Sequence, residues 1–282
     1  MQTPSVFIII LNYNGKTVLQ KCLTSIFRSD YKNIEVVVVD NASSDGSLEE
    51  AMQKFSKVHF IKNSENIGFS RGNNLGIRFS LEKFADYILL LNNDTEIFSN
   101  TISLLVNYAE KNDQVGITSP LILGPNAKEI WFAGGRINWS KMSCSHILSL
   151  KAEKAYTIEY ASGCAMLIKK EVFKKIGLFD ERFFLYYEDT DFSLRAKKQN
   201  FNISLLPQAK IIHFEISNST NPQKIYWLVI SALIFFKLNA PAFFRVWYFI
   251  YIPIRKIKAN FSRNTSSIQV RKAFADFKSI KD

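Results

Sequence analysis

IEVVVVDNASSDGS, residues 34–47, decides the fold class. Four consecutive valines form a strand apolar on both faces, as expected in a parallel sheet covered by helices. The run stops at Asp40, and Asn41-Ala42-Ser43-Ser44-Asp45-Gly46 supplies the turn chemistry that caps a helix through about Phe55. The same strand–helix unit recurs on both sides. Val6–Leu11 is a continuous apolar run, followed within Lys16–Arg28 by a helical stripe of Val18, Leu19, Cys22, Leu23, Ile26 and Phe27. Val58–Ile61 precedes a Gly- and Asn-rich helix start at Asn66–Gly76, and Tyr87–Leu91 breaks at Asn92-Asn93-Asp94. This alternation predicts an α/β fold, a right-handed and mostly parallel sheet flanked by helices. Sites on such sheets lie beyond the strand carboxyl ends, where Asp40 and Asp94 fall.

Beyond Val115–Ser119 the pattern loosens. Trp131–Trp139, with Gly134-Gly135 at its centre, reads as a hairpin. Gly163–Lys169 reads as a short strand, Lys170–Ile176 as a helix ended by Gly177, and Glu188–Asn200 as a helix with three acids in its first turn. Two strands, near Phe201–Leu206 and Lys210–Phe214, are expected to complete the body.

The chain has 282 residues, 47% of them hydrophobic, which excludes disorder and leaves ample core. The formal charge of +11 points to nucleic acid until it is located. Residues 1–220 carry 25 basic and 23 acidic side chains, whereas residues 221–282 carry 11 and 2. The body is nearly neutral, so no nucleic-acid partner is expected for it. Cys22, Cys144 and Cys164 are far apart with no CxxC spacing, so neither a disulfide framework nor a zinc site is indicated. The N-terminal apolar run lacks a basic flank and is too short for a signal peptide, so a cytoplasmic protein is expected and triplets such as Asn218-Ser219-Thr220 are chance matches.

Four constellations carry candidate chemistry. Asp40, at a rigid strand end, suits a ribose hydroxyl or a pyrimidine imide, or else caps its own turn. Asp94 suits a hard divalent cation, which takes one or two protein carboxylates plus phosphate oxygens, although Asn-Asn-Asp is also turn chemistry. Glu188, Asp189 and Asp191 repel one another, which raises a pKa toward that of a general base. The aromatic run Phe183–Tyr187 before them suits a walled pocket. His213 matters only where the fold brings it near Asp94. No GxGxxG follows the first strand, where Asn12-Tyr13-Asn14-Gly15 stands, and Walker A and HExxH are absent, which removes most support for hydride transfer and P-loop hydrolysis.

Several stretches in order, IIILNYNG (8–15), VVVVDNASSDGS (36–47), NIGFSRGNNLGI (66–77), LLLNNDTEI (89–97), residues 161–201 and IIH (211–213), make the chain resemble the family 2 glycosyltransferases, most closely the bacterial rhamnosyltransferase-like enzymes of surface polysaccharide synthesis. The resemblance implies a GT-A fold and an inverting transfer of rhamnose or another hexose from a nucleotide-diphosphate sugar. The acceptor would be a hydroxyl of a glycan, one carried on polyprenyl diphosphate, in surface polysaccharide or O-antigen synthesis. It implies Asp189 as catalytic base with Glu188 and Arg195 in support. Asp40 would meet the nucleotide base, with Asn12, Asn14, Arg71, Asn73 and Asn93 near the donor. Asp94 and His213 would meet Mg²⁺ or Mn²⁺, and Gly163 and Cys164 would keep the sugar crevice open beside a Trp131 platform. Asn92 stands where the family often has aspartate, which reduces the charge available to a metal.

Residues 1–220 are thus expected to form the transferase domain and 221–282 a helical segment. Its runs Ile225–Phe236 and Val246–Ile254 are too short to span a bilayer. Dense aromatics followed by Arg255, Lys256, Lys258 and Arg263 suit a peripheral seat, through 221–263, on the inner face of the cell membrane. The alternative is packing on the body. Rival functions are a nucleotidyltransferase, which needs a basic Gly-rich loop where Asn12-Tyr13-Asn14-Gly15 stands, and a non-catalytic basic adaptor.

Overall fold

The structure is a computed structural model that describes residues 3–215, 221–261 and 265–279. Asn218–Thr220, the expected domain end at 220, and Arg263 lie outside the described residues.

The first half is the repeated unit read from the sequence. β1 (Val6–Asn12), α1 (Leu19–Phe27), β2 (Ile34–Asp40), α2 (Ser47–Lys54), β3 (Val58–Lys62), α3 (Gly68–Glu82) and β4 (Tyr87–Asn92) follow in order. β1 lies between β2 and β4, and β3 extends the edge, all parallel. Ile8, Ile9, Ile10 and Val36–Val39 are essentially inaccessible to solvent, as strands covered on both faces must be. Gly76 lets α3 lie close on this layer, because a Cβ there would come within 2.7 Å of Ile9 Cγ2.

The second half adds β5 (Thr95–Ile97), α4 (Thr101–Glu110), β6 (Val115–Leu123), β7 (Ile130–Phe132), β8 (Gly135–Asn138), β9 (Ser143–His146), β10 (Tyr156–Thr157), β11 (Ala165–Lys169), α5 (Lys170–Ile176), α6 (Glu188–Lys198) and β12 (Asn202–His213). The main sheet runs β10-β12-β6-β11-β4-β1-β2-β3, with β5 on β12 and β7 on β6. β11 is antiparallel to both its neighbours, and the rest of the path from β6 to β3 and β12 on β6 is parallel. The sheet is therefore mixed and mostly parallel.

Two expectations are corrected. Trp131–Trp139 is not one hairpin: β7 pairs with β6, and β8 pairs with β9 in a separate ribbon. Gly134, at φ +118°, turns the chain from one sheet to the other, and Gly135 leaves room for the Tyr160 ring, which a Cβ there would strike. The two strands expected at 201–206 and 210–214 are one strand, β12, whose register on β6 slips between Leu206 and Lys210.

The C-terminal segment is helical: α7 (Pro222–Asn239), α8 (Ala242–Phe261) and α9 (Thr265–Phe277). The run Ile225–Phe236, expected at a membrane surface, instead enters the core of the body. Val229, Ile230 and Ala232–Phe236 are buried in the same cluster as the sheet. Phe235 and Phe236 pack on Trp139 and Tyr187, and α9 lies along α7, with the Tyr226 hydroxyl donating to Asp276 at 2.8 Å. α8 does the opposite. Phe243, Val246, Phe249, Ile250, Ile254 and Ile257 on its outer face are at least half exposed. No helix among the described residues is long and apolar enough to cross a membrane.

Arg195, expected to support Asp189, serves the fold. Its Nε donates to Asp191 Oδ2 at 2.7 Å, and its two terminal nitrogens donate to the carbonyls of Ile176 and Leu178. Asp191 also accepts from Asn239 at 2.8 Å, so one buried carboxylate joins α5, α6 and the end of α7. Removing the cation leaves that carboxylate short of charge in a site only 4% exposed. Arg195→Met is therefore expected to lower unfolding free energy by about 3 kcal/mol, measured by urea titration.

Candidate functional site

The site forms where β4, β5 and β12 end. Asp94 lies in the turn between β4 and β5, and β5 pairs antiparallel with the last residues of β12, Thr95 opposite His213. The Phe214 amide closes this pairing on the Asp94 carbonyl at 2.8 Å. The backbone ladder thus sets two distant side chains face to face: Asp94 Oδ1 is 3.2 Å from His213 Nε2. Burial opposes a charge on His213, but the adjacent Cys164 and Asp94 draw its pKa upward. Beyond this approach, Asp94 Oδ1 and the His213 ring nitrogens are buried with no well-aligned hydrogen bond among the described residues.

Those orphaned atoms fit a divalent cation. Two ligands in neighbouring positions on an ion with bonds of about 2.0–2.2 Å lie about 3 Å apart. Among the described residues no cluster of three or more His, Cys, Asp or Glu forms a closed cage. The pair thus suits an ion that completes its shell with substrate oxygens.

Across the cleft, the chain enters α6 through a strained turn. Tyr186 and Tyr187 are both left-handed, at φ 70° and 68°, a conformation that costs non-glycine residues about 1–3 kcal/mol each. Three contacts hold it. The Phe69 amide donates to the Phe184 carbonyl at 2.6 Å, Trp227 of α7 stacks on Phe184 at 4.2 Å, and the Ser231 hydroxyl donates to the Leu185 carbonyl at 2.7 Å. The turn delivers Glu188 and Asp189. Asp189 Oδ2 accepts from the Gly163 amide at 2.8 Å, and Oδ1 accepts from the Thr190 amide and hydroxyl. Burial raises the Asp189 pKa, and these donors offset only part of the rise. Glu188 is raised well above the usual range by burial and then by the charge of Asp189.

Asp94, His213, Trp131, Gly163, Cys164, Glu188 and Asp189 all line one cleft of about 410 Å³. The Trp131 ring is held edge-on between His146 and His213, each 4.5 Å away. Gly163 keeps the cleft open, since a Cβ there would meet the Phe69 ring at 3.1 Å. Tyr186, of the aromatic run expected to wall a pocket, borders the cleft, as do His146, Phe69, Leu228 and the ion pair Lys224–Glu215, which were not singled out in the sequence. His146 sits in no motif, and only the β8–β9 ribbon brings it there.

The other predicted residues form a second group. Asn12 Nδ2 donates to Asp40 Oδ1 at 2.8 Å and to the Ser43 and Ser47 hydroxyls, and Asn12 Oδ1 accepts from Asn93. Asp40, expected to meet a nucleotide base, is fully buried, and both its oxygens are engaged by Asn12 and Ser43. These contacts hold the turn after β2. Asn14, exposed on the neighbouring turn, accepts from the Ser44 amide. Arg71 and Asn73 do not border the cleft: Arg71 lies 3.6 Å from Glu181, and Asn73 donates to the Phe69 carbonyl of its own helix.

The geometry agrees with known proteins. The model of glycosyl transferase family 2 matches residues 7–177. A low-salt glycan biosynthesis hexosyltransferase, Agl10 of Haloferax volcanii, is 32% identical over 223 residues, covering 78% of this chain and 70% of that protein. An N-acetylglucosaminyl-diphospho-decaprenol L-rhamnosyltransferase of Mycobacterium tuberculosis is 23% identical over 230 residues, covering 73% and 75%. The solved structure of GalNAc-T7 with UDP, GalNAc and Mn²⁺ superimposes with a TM-score of 0.67 at 16% identity. It covers 98% of this chain, which spans only 54% of that one, and it identifies the fold as GT-A. With the family model matched over more than half its length, the chain belongs to glycosyl transferase family 2 and is a glycosyltransferase.

Proposed function

We propose that the protein is an inverting hexosyltransferase that moves rhamnose or another hexose from a nucleotide-diphosphate sugar to a hydroxyl of a lipid-linked glycan, in surface polysaccharide or O-antigen synthesis. The observation that carries this reading is that Asp189 and the Asp94–His213 pair border one cleft from different elements. A lipid-linked acceptor is supported by the decaprenol-linked substrate in the name of the mycobacterial relative. The division at residue 220 is kept as a proposal with one change: α7 walls the cleft through Lys224 and Leu228.

In this mechanism Asp189 takes the proton of the acceptor hydroxyl as its oxygen bonds to the anomeric carbon. The bond from that carbon to the nucleoside diphosphate breaks, and the electron pair leaves on the phosphate. One displacement inverts configuration and needs no protein nucleophile; Cys164, beside the cleft, is kept a thiol by burial. Asp94 and His213 would hold Mg²⁺ or Mn²⁺, which when bound neutralises charge developing on the diphosphate. Trp131 offers a face to the sugar, and Asn12, Asp40 and Asn93 brace the turns that frame the nucleotide.

α8 supplies a membrane seat. Phe243, Val246, Trp247, Ile250, Ile254 and Ile257 fall at helical spacing on one exposed face, and α8 contains Arg245, Arg255 and Lys256 but no acid. An apolar stripe with basic flanks suits a helix lying in an anionic interface.

The direct test incubates the protein with UDP-, dTDP- and GDP-sugars and measures nucleotide release. One donor is expected to be hydrolysed; metal chelation is expected to lower that rate by about 100-fold, restored by Mg²⁺ or Mn²⁺. No release from any donor would overturn the reading.

Asp189→Asn is expected to reduce transfer by about 10²–10⁴-fold with donor affinity retained in calorimetry. Since the base acts only when ionised and its pKa is raised, wild-type kcat/KM is expected to fall with decreasing pH at a midpoint above the ordinary aspartate value of about 3.9.

Replacing both Phe243 and Ile250 by Glu removes two side chains worth about 1.5–3 kcal/mol each when buried. Cosedimentation with vesicles containing anionic lipid is expected to weaken at least about ten-fold.

A further inference from the structure

Asp189 borders two cavities. Besides the cleft there is a smaller one of about 220 Å³, lined by Cys144, Tyr160, Tyr186, Tyr187, Thr190 and Leu228 around the same carboxylate. It shares His146, Tyr186, Glu188, Asp189 and Leu228 with the cleft but none of Asn92, Asp94, Cys164 or His213. Glu188, which borders both, is 4% exposed, and its Oε2 has no hydrogen-bond partner among the described residues. An unpaired carboxylate oxygen in such a place costs free energy until a donor reaches it.

We propose that this smaller cavity seats the acceptor sugar, a single neutral pyranose ring, with the attacking hydroxyl at Asp189 and a second hydroxyl donating to Glu188 Oε2. The proposal rests on the single-displacement reading above. In that reaction the nucleophile and the leaving group lie on opposite sides of the anomeric carbon. The diphosphate belongs on the Asp94–His213 side, so the hydroxyl must come from a space that touches Asp189 and avoids that pair. The smaller cavity meets both conditions.

Its lining suits a sugar. At about 30 Å³ per water, the space holds roughly seven waters, one ring's worth rather than an oligosaccharide. Tyr160, Tyr186 and Tyr187 offer ring faces and neutral hydroxyls, since burial pushes all three pKa values up, that of Tyr186 to about 12. The Tyr160 hydroxyl donates to the Ser145 carbonyl, which fixes the ring that forms the floor. The β8–β9 ribbon forms one rim, and the loop at its tip is fastened to α8 by Trp247 Nε1, which donates to the Ser140 carbonyl at 2.7 Å. The rim is thus tied to the helix that carries the exposed apolar stripe, the place where a lipid-borne sugar would arrive.

The chemistry balances within the cavity. The acceptor oxygen bonds to the anomeric carbon, its proton passes to Asp189, and the nucleoside diphosphate departs with the electron pair.

The test uses the full chain, the donor found by nucleotide release, and n-octyl glycosides of glucose, galactose, mannose, N-acetylglucosamine and rhamnose as probes. At least one glycoside is expected to accept the sugar with saturation. Cys144→Phe, which fills the smaller cavity alone, is expected to raise the KM for that glycoside at least ten-fold while the donor KM changes less than two-fold. Cys144→Met, a smaller intrusion into the same cavity and decisive if the bulkier variant fails to fold, is expected to show the same split with a smaller rise. Glycoside and donor constants rising together, an unchanged glycoside constant, or a hydrolysed donor with no glycoside accepted would each overturn the proposal. Absence of donor hydrolysis in the wild type would instead overturn the glycosyl-transfer reading on which it rests.

Discussion

Three residues of backbone ladder govern the candidate site of this molecule. β5 is only Thr95–Ile97, yet by pairing with the end of β12 it carries Asp94 to within 3.2 Å of His213. The two side chains approach each other but are otherwise without a well-aligned hydrogen bond among the described residues, so the ladder does most of the positioning. Two buried polar groups left this way are a local cost, and the sheet, with its buried isoleucine and valine strands, supplies the stability that offsets it. The register of that short pairing matters most: a slip of one residue would turn His213 to the other face.

The turn before α6 repeats the pattern. Tyr186 and Tyr187 hold unfavourable backbone angles so that Glu188 and Asp189 can open a helix beside Gly163. Their positions are maintained from two sides: α3 through the Phe69 amide, and α7 through Trp227 and Ser231. α7 is consequently part of the site as well as of the core, and the C-terminal segment cannot be treated as a detachable anchor.

Much of this was legible in the sequence because local pattern and global fold agree. The valines at 36–39, the break at Asp40 and the break at Asn92 placed the sheet and its carboxyl edge. Asp94, His213, Asp189, Glu188, Gly163, Cys164 and Trp131, singled out from the sequence, share one cleft. What was not legible depends on pairing between distant segments. Gly134 and Gly135 look like a hairpin turn, but their neighbours find strands elsewhere, and β12 looks interrupted because a register slip breaks its alternation. His146 had no local signal, being delivered by a ribbon whose partner strand could not be read. The protein partners of Arg195 and Asp40 were equally illegible: Asp191 and two backbone carbonyls take Arg195, and Asn12 and Ser43 take Asp40, through contacts that only the fold brings together.

The two aromatic runs of the C-terminal segment have similar compositions and different environments, and helical geometry explains why. From Val229 to Phe236 α7 is apolar on every side, and a helix without a polar face has no stable place except inside. α8 divides its residues. Tyr248 turns inward and donates to the Leu233 carbonyl, while Phe243, Val246, Ile250, Ile254 and Ile257 align on the outer side. The net positive charge beyond residue 220 thus has two settings. On α7, Lys224 reaches Glu215 at the cleft, and on α8 the cations flank an apolar stripe that the body leaves uncovered. Summed charge and summed hydrophobicity hide that distinction, which only the angular position of each residue around its helix reveals.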